Sequence, residues 1–182
     1  IFFSFFISFL SLQLWAQVPA IDVLSYHLNI KLADHTDSIY VTEQIELLKY
    51  ESELSSLVFD FYGPQKKGDG MTVSKVSLAG KALAFTQSEK KLNITLPKRN
   101  KASELKIEIQ FAGIPSDGLV ISNNQHNERT FFADNWPNRA HYWYACIDHP
   151  SEKARYDFIL EAPEKYQVVA NGELLSKKQG PA

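Results

Sequence analysis

The densest run of reactive side chains is His141, Cys146, Asp148 and His149. Imidazole, thiolate and carboxylate all bind transition metals. Their spacing here matches no closed four-ligand site, and the segment has no helical period that would turn i and i+4 side chains to one face. The residues read better as structure. Cys146 suits a small buried hydrophobe, and Asp148 with Pro150 suits a turn whose carboxylate accepts backbone N–H groups. A metal-dependent hydrolase helix needs His-Glu-x-x-His, so that two imidazoles share a face and the Glu polarises the metal-bound water. The five histidines are followed by Leu28, Thr36, Asn127, Tyr142 and Pro150, so the chain carries no such motif. It also carries no nucleophile elbow, phosphate loop or dinucleotide fingerprint. Cys146 is the single cysteine, which excludes an internal disulfide and a CxxC redox pair. These residues supply no catalytic and no metal-ligating assignment.

The elements that position the side chains read as strands. Tyr26, Leu28, Ile30 and Leu32 alternate with His27, Asn29 and Lys31, a half-buried strand pattern. Ile39, Val41, Ile45 and Leu47 alternate with Tyr40, Thr42, Gln44 and Glu46, and the two runs suit a hairpin. Leu57 to Phe61 is a short apolar run, and Gly63-Pro64 and Gly68-Asp69-Gly70 mark a surface loop. Short alternations continue through Val73–Leu78, Leu92–Leu96 and Leu105–Phe111, the last ended by Gly113. Phe131 to Tyr144 is rich in aromatics. Alternation returns at Ala154, Tyr156, Phe158 and Leu160, and Asn171-Gly172 reads as a hairpin turn between Gln167–Ala170 and a return strand at Leu174-Leu175. No long helical period occurs after the first residues. The expected fold is all-β, an antiparallel β-sandwich or saddle-like pair of curved sheets, built from about eight to eleven short strands.

The chain has 182 residues, with 19 Lys+Arg against 21 Asp+Glu and a formal charge of −2. That balance offers no basic face to nucleic acid. The charge is unevenly placed: nothing ionisable precedes Asp22, and eleven of the fifteen residues from Ile1 to Trp15 are large and apolar. The run is short for a membrane span, which takes about 20 residues, and fits the apolar region of a secretory signal ending at Ala16. No cysteine follows it to carry a lipid. The expected organisation is residues 1–16 as a truncated signal peptide and residues 17–182 as one exported β-domain, secreted or periplasmic, with no stable membrane anchor.

The stretch from Arg129 to Gly172 carries a linked series of features. A Pro-containing loop (Pro137) precedes Cys146-Ile147-Asp148-His149-Pro150, a C-x-D-x-P run. Lys153-Ala154 and the alternating Arg155-Tyr156-Asp157-Phe158 follow, then Pro163, Tyr166, Val168, Val169 and Asn171-Gly172. This series resembles the N-terminal β-domain of the aminopeptidase N family of zinc metallopeptidases, and the region from Tyr26 to Gly118 agrees more loosely. Three positions depart from the family pattern: His141 stands where Arg is usual, Ala145 where Pro is usual, and Trp136 at a loop position often filled by Gln or Glu.

The resemblance implies a zinc-dependent exopeptidase that removes N-terminal residues from peptides. Its zinc ligands and catalytic groups would lie C-terminal to residue 182. The expected cofactor is therefore zinc in the full-length parent, with none bound by these residues. The expected partners are the protein's own C-terminal catalytic domain and a peptide substrate. The resemblance places Asp134 and Trp136 at the cleft rim as substrate-binding residues, the carboxylate as an ion-pair partner and the indole as an apolar or cation–π wall. Two other readings stay open: a stand-alone exported β-sandwich binding module, and a non-catalytic member of the same family. N-terminal sequencing of the secreted product is expected to begin at or near Gln17; a soluble mature protein that keeps Phe2–Trp15 would refute the leader.

Overall fold

The structure is a computed structural model and describes residues 20–98 and 102–179. The expected leader, residues 1–16, lies outside the described residues. Among the described residues the chain forms eleven strands, and no helix is long and apolar enough to cross a membrane. In order these are β1 (Ile21–Lys31), β2 (Ile39–Lys49), β3 (Ser56–Asp60), β4 (Gly70–Leu78), β5 (Lys81–Ala82), β6 (Phe85–Gln87), β7 (Lys91–Thr95), β8 (Glu104–Ile114), β9 (Leu119–Asn123), β10 (Arg129–Ala133) and β11 (Arg155–Glu161). A six-stranded sheet runs β11-β1-β2-β8-β4-β5, a three-stranded sheet runs β3-β7-β6, and β9 with β10 forms a hairpin.

Alternation sets the core. Tyr26, Leu28 and Ile30 of β1, Ile39, Val41, Ile45 and Leu47 of β2, and Leu105, Ile107, Ile109 and Phe111 of β8 share one face of the large sheet. They pack on Leu57 and Phe59 of β3 and Leu92 and Ile94 of β7. Removing each such side chain from water contributes roughly 1.5–3 kcal/mol, which ties the two sheets into one body. The all-β expectation holds.

The structure departs from the sequence reading in four places. The β9–β10 hairpin was not legible, because its strands are exposed at alternate and adjacent positions alike and give no clean period. β8 runs through Gly113 to Ile114 rather than ending at the glycine. β11 pairs with β1 in parallel, Ser25 opposite Arg155 through Lys31 opposite Glu161, so the large sheet is mixed rather than wholly antiparallel. Its cause is the long crossing from β10, which returns the chain to the sheet edge in the direction of β1. Finally, Gln167–Leu175 forms no hairpin: these residues carry no strand, and Val168, Val169, Leu174 and Leu175 are 50%, 85%, 81% and 83% exposed. Two short strands without a third or an apolar layer behind them are marginal.

β2 contains a surprise. Glu43 lies on the inward phase of the alternation and is fully buried. One carboxyl oxygen, Oε2, accepts the Ala145 N–H at 3.0 Å, and Oε1 has no partner. Burial pushes the Glu43 carboxyl well above the usual carboxylate range, only partly opposed by the Ala145 amide. An unfolded Glu loses its proton near pH ~4.3. A folded-state pKa raised above that value means that the acid's contribution to stability is fully present below the unfolded pKa and is lost as pH rises through the folded one. Replacing the acid by an isosteric amide removes this loss. Glu43→Gln is therefore expected to melt above the parent at pH 8, by about 1–3 kcal/mol, with the gap closing toward pH 4. Thermal denaturation across that range checks it; parallel pH profiles for the two proteins would refute the buried acid.

Candidate functional site

The segment from Asp134 to Asp148 links the β9–β10 hairpin to β11 and crosses the end of β3. Its second half is a strap whose amides are all taken. Glu43 Oε2 accepts the Ala145 N–H, the Asp60 carbonyl accepts that of Cys146 at 3.1 Å, the Tyr26 hydroxyl accepts that of Ile147 at 3.1 Å, and Asp60 Oδ2 accepts that of Asp148 at 3.3 Å. Cys146 is buried. Burial pushes the Cys146 thiol well above its ordinary range, and neighbouring carboxyls push the same way, Asp148 foremost. The thiol stays protonated and unreactive. Tyr26 and Tyr144 lie beside it, and burial raises both phenols.

The other members of the reactive run do not converge. His141 Nδ1 and Asp148 Oδ2 are 2.6 Å apart, and Asp148 Oδ2 also accepts the His141 N–H at 3.2 Å. His149 instead meets the Ser151 hydroxyl at 2.7 Å. Asp148 thus shapes the turn as its residue type suggests. Among the described residues no three His, Cys, Asp or Glu side chains gather as a metal ion requires.

The first half of the segment carries both sequence-assigned site residues. Trp136 is 78% exposed, so it is not a core side chain. Asp134 is half-buried and already engaged: its Oδ2 accepts from Arg139 at 2.8 Å and its Oδ1 from the Trp136 N–H at 3.3 Å. The peptide bond between Trp136 and Pro137 is cis. The loop is tied down on every side. The Gly118 carbonyl accepts the Asp134 N–H at 2.8 Å, the Asn135 carbonyl accepts the Arg139 N–H at 3.0 Å, and Asn135 Oδ1 accepts the indole N–H of buried Trp143 at 2.9 Å. The Trp136 indole therefore projects from a rigid base. Sequence reasoning singled out Asp134 and Trp136 and passed over Asp117, Asn135, Arg139 and Trp143, which hold their loop in place. The Asn135-x-x-x-Arg139 spacing in a Pro-containing loop was the available signal.

A cleft lies elsewhere. It has a volume of about 730 Å³ and is lined by Asp34, Asn124, Arg129, Lys165 and Tyr166, between the hairpin tip and the turn after β1. Of its charges, Lys165 pairs with Asp34 and Arg129 with Asp37, and Glu128 accepts from the Asn124 side-chain amide at 3.2 Å. Neither Asp134 nor Trp136 borders it.

With this arrangement in view, comparison with known proteins is decisive for the class. Residues 24–181 match the family model of the peptidase M1 N-terminal domain, and the chain belongs to that family. It is 24% identical over 168 residues to a leucyl aminopeptidase from Saccharolobus solfataricus, covering 87% of this chain and 19% of that protein. Among solved structures it shares its fold with an M1 zinc metallopeptidase variant from Deinococcus radiodurans, bound to a Tyr-Ser-Ala substrate: TM-score 0.61, 24% identity, 78% of this chain and 32% of that one. It also shares it with native LTA4 hydrolase from yeast: TM-score 0.67, 18% identity, 79% of this chain and 23% of that one. The chain thus spans between a fifth and a third of the length of these relatives.

The close seating of the loop makes a specific demand at Gly118. Its φ is +73°, and a Cβ there would lie 2.1 Å from the Arg139 carbonyl oxygen. Gly80 has a similar φ of +77° with nothing near its missing Cβ. Gly80→Ala is expected to cost about 1 kcal/mol from backbone strain alone, and Gly118→Ala about 1–3 kcal/mol more. Denaturant melts of the two variants check this; equal losses would show that the loop yields freely.

Proposed function

We propose that this chain is the N-terminal domain of an exported zinc-dependent aminopeptidase, and that it walls one side of the cleft that receives the peptide's amino end. The observation that carries the reading is the exposed Trp136 indole on a loop fixed from every side, in a chain of the M1 N-terminal domain family. A preorganised aromatic at a rim discriminates among side chains without the cost of ordering itself on binding. The relatives' names support peptide N-termini as the substrate class.

The partner is the protein's own catalytic domain. The run from β11 onward supports this. Tyr156, Phe158 and Ile159 of β11 are 43%, 41% and 62% exposed, and the apolar residues from Val168 to Leu175 are more exposed still. Apolar exposure of this extent is what a surface covered by another body would show. Zinc would serve the peptidase as it serves the relatives. The described residues do not fit it, since His141 and Asp148 bond to each other and the Cys146 thiol is held neutral. No step of the cleavage is assigned to this chain; its part is to bind and orient.

Trp136→Ala in the full-length enzyme tests the reading. The value of kcat/KM is expected to fall unevenly across substrates with different first residues, by about 1–3 kcal/mol for the best one, with the melting temperature little changed. Equal loss on all substrates together with a collapsed melting transition would overturn the cleft-rim assignment. Absence of His-Glu-x-x-His from the reading frame beyond residue 182 would overturn the peptidase and leave a binding module or a non-catalytic relative.

A further inference from the structure

Arg139 has a part in this loop that its position in the sequence does not announce. Its guanidinium hydrogen-bonds two acceptors and forms an ion pair with a third group. One terminal nitrogen donates to Asp134 Oδ2 at 2.8 Å, Nε donates to the Trp136 carbonyl at 2.8 Å, and the other terminal nitrogen lies 3.6 Å from Asp117 Oδ1. Asp117 Oδ1 also accepts the Gly118 N–H at 2.7 Å. The side chain therefore spans the loop and pins it to the turn before β9. It does so with a planar fork whose donors point in fixed, different directions, an arrangement that an ammonium group cannot copy.

The consequence is electrostatic. Both oxygens of Asp134 already accept hydrogen bonds from the protein, one of them charge-assisted. An incoming ammonium group would have to compete with Arg139 for that carboxylate and would be repelled by the guanidinium beside it. The Trp136 ring, by contrast, is free. We propose that Arg139 is a positioning residue which closes the Asp134–Pro137 loop and withholds Asp134 from the substrate, so that the loop selects peptides whose first side chain is apolar and uncharged. This rests on the cleft-rim reading above and deepens it by naming the substrate class and the residue that sets it.

The test has two arms. In the full-length protein, Arg139→Gln is expected to lower hydrogen-exchange protection of the Asp134 and Arg139 amides about tenfold, while amides in β2 and β8 keep theirs. Unchanged protection at Asp134 would overturn the positioning role. In the full-length enzyme, the ratio of kcat/KM for a lysine-first over a leucine-first amide substrate is expected to rise about tenfold in Arg139→Gln, as the freed carboxylate gains a charge-assisted contact. Arg139→Lys, which keeps a charge beside Asp134 without the fork, is expected to bring the ratio most of the way back to the parent's while leaving the Asp134 amide as poorly protected as in Arg139→Gln. In an Asp134→Asn background the same Arg139→Gln change is expected to leave the ratio where it was, since the carboxylate it would release is gone. A merely structural Arg139 would lower both substrates together. A ratio that does not move, or that moves equally without Asp134, overturns the selectivity. Should Trp136→Ala affect no substrate, the cleft-rim reading and the selectivity built on it both fail, and the exchange arm still decides whether Arg139 holds the loop.

Discussion

Four consecutive backbone amides, those of residues 145 to 148, must find acceptors away from any sheet ladder of their own. The strap that carries them crosses the end of β3, where water is largely excluded, and a buried N–H without a partner costs about 1–3 kcal/mol. The fold answers with acceptors from three strands: the Glu43 carboxyl of β2, the Tyr26 hydroxyl of β1, and the carbonyl and carboxylate of Asp60 in β3. Much of the rest follows from this. Glu43 must sit on an inward position, and Tyr26 must turn its hydroxyl toward the strap rather than to solvent. Asp60 must hold its carboxylate in place, which its 2.6 Å pair with Lys91 of β7 does.

Fixing the strap fixes what lies on either side of it. Upstream, Trp143 is buried under Gly118 and offers its indole N–H to Asn135, so the candidate loop inherits its seat from the same anchorage. Downstream, the strap delivers the chain to the edge of the large sheet in the direction of β1, which makes β11 a parallel strand. Tyr156 of β11 then stacks on Tyr26 at 5.1 Å between ring centres, and its hydroxyl accepts from Tyr144 at 3.3 Å. The edge strand and the strap thus share one aromatic cluster, and moving either disturbs both. The single cysteine sits inside that cluster as packing.

The departures from the family pattern acquire local reasons in this frame. His141, where Arg is usual, is drawn to Asp148 across the base of the strap, and the pair closes the turn between them. Ala145, where Pro is usual, has an N–H to give, and Glu43 takes it. A proline there would leave Glu43 with no donor at all. The buried acid and the alanine amide therefore depend on each other.

Sequence alone determined the class of the fold and most of its strands, because a two-residue period is a local property that any half-buried strand must show. It also determined where the loop with Asp134 and Trp136 lies, because Pro137 and the C-x-D-x-P run are local marks. It passed over Glu43, since an acid on an apolar phase reads as an interruption until its acceptor role for Ala145 is seen. It misjudged Gln167–Leu175, because alternation and Asn171-Gly172 describe a strand's readiness to pair and not the presence of a partner. Tertiary structure alone decided that β11 is parallel, that Arg139 lies between two aspartates, and that Trp136 faces outward while Trp143 is buried. Each of those outcomes depends on which distant groups meet across the fold, and neither residue type nor spacing along the chain encodes a meeting between Tyr26, Glu43, Asp60 and a strap about a hundred residues away.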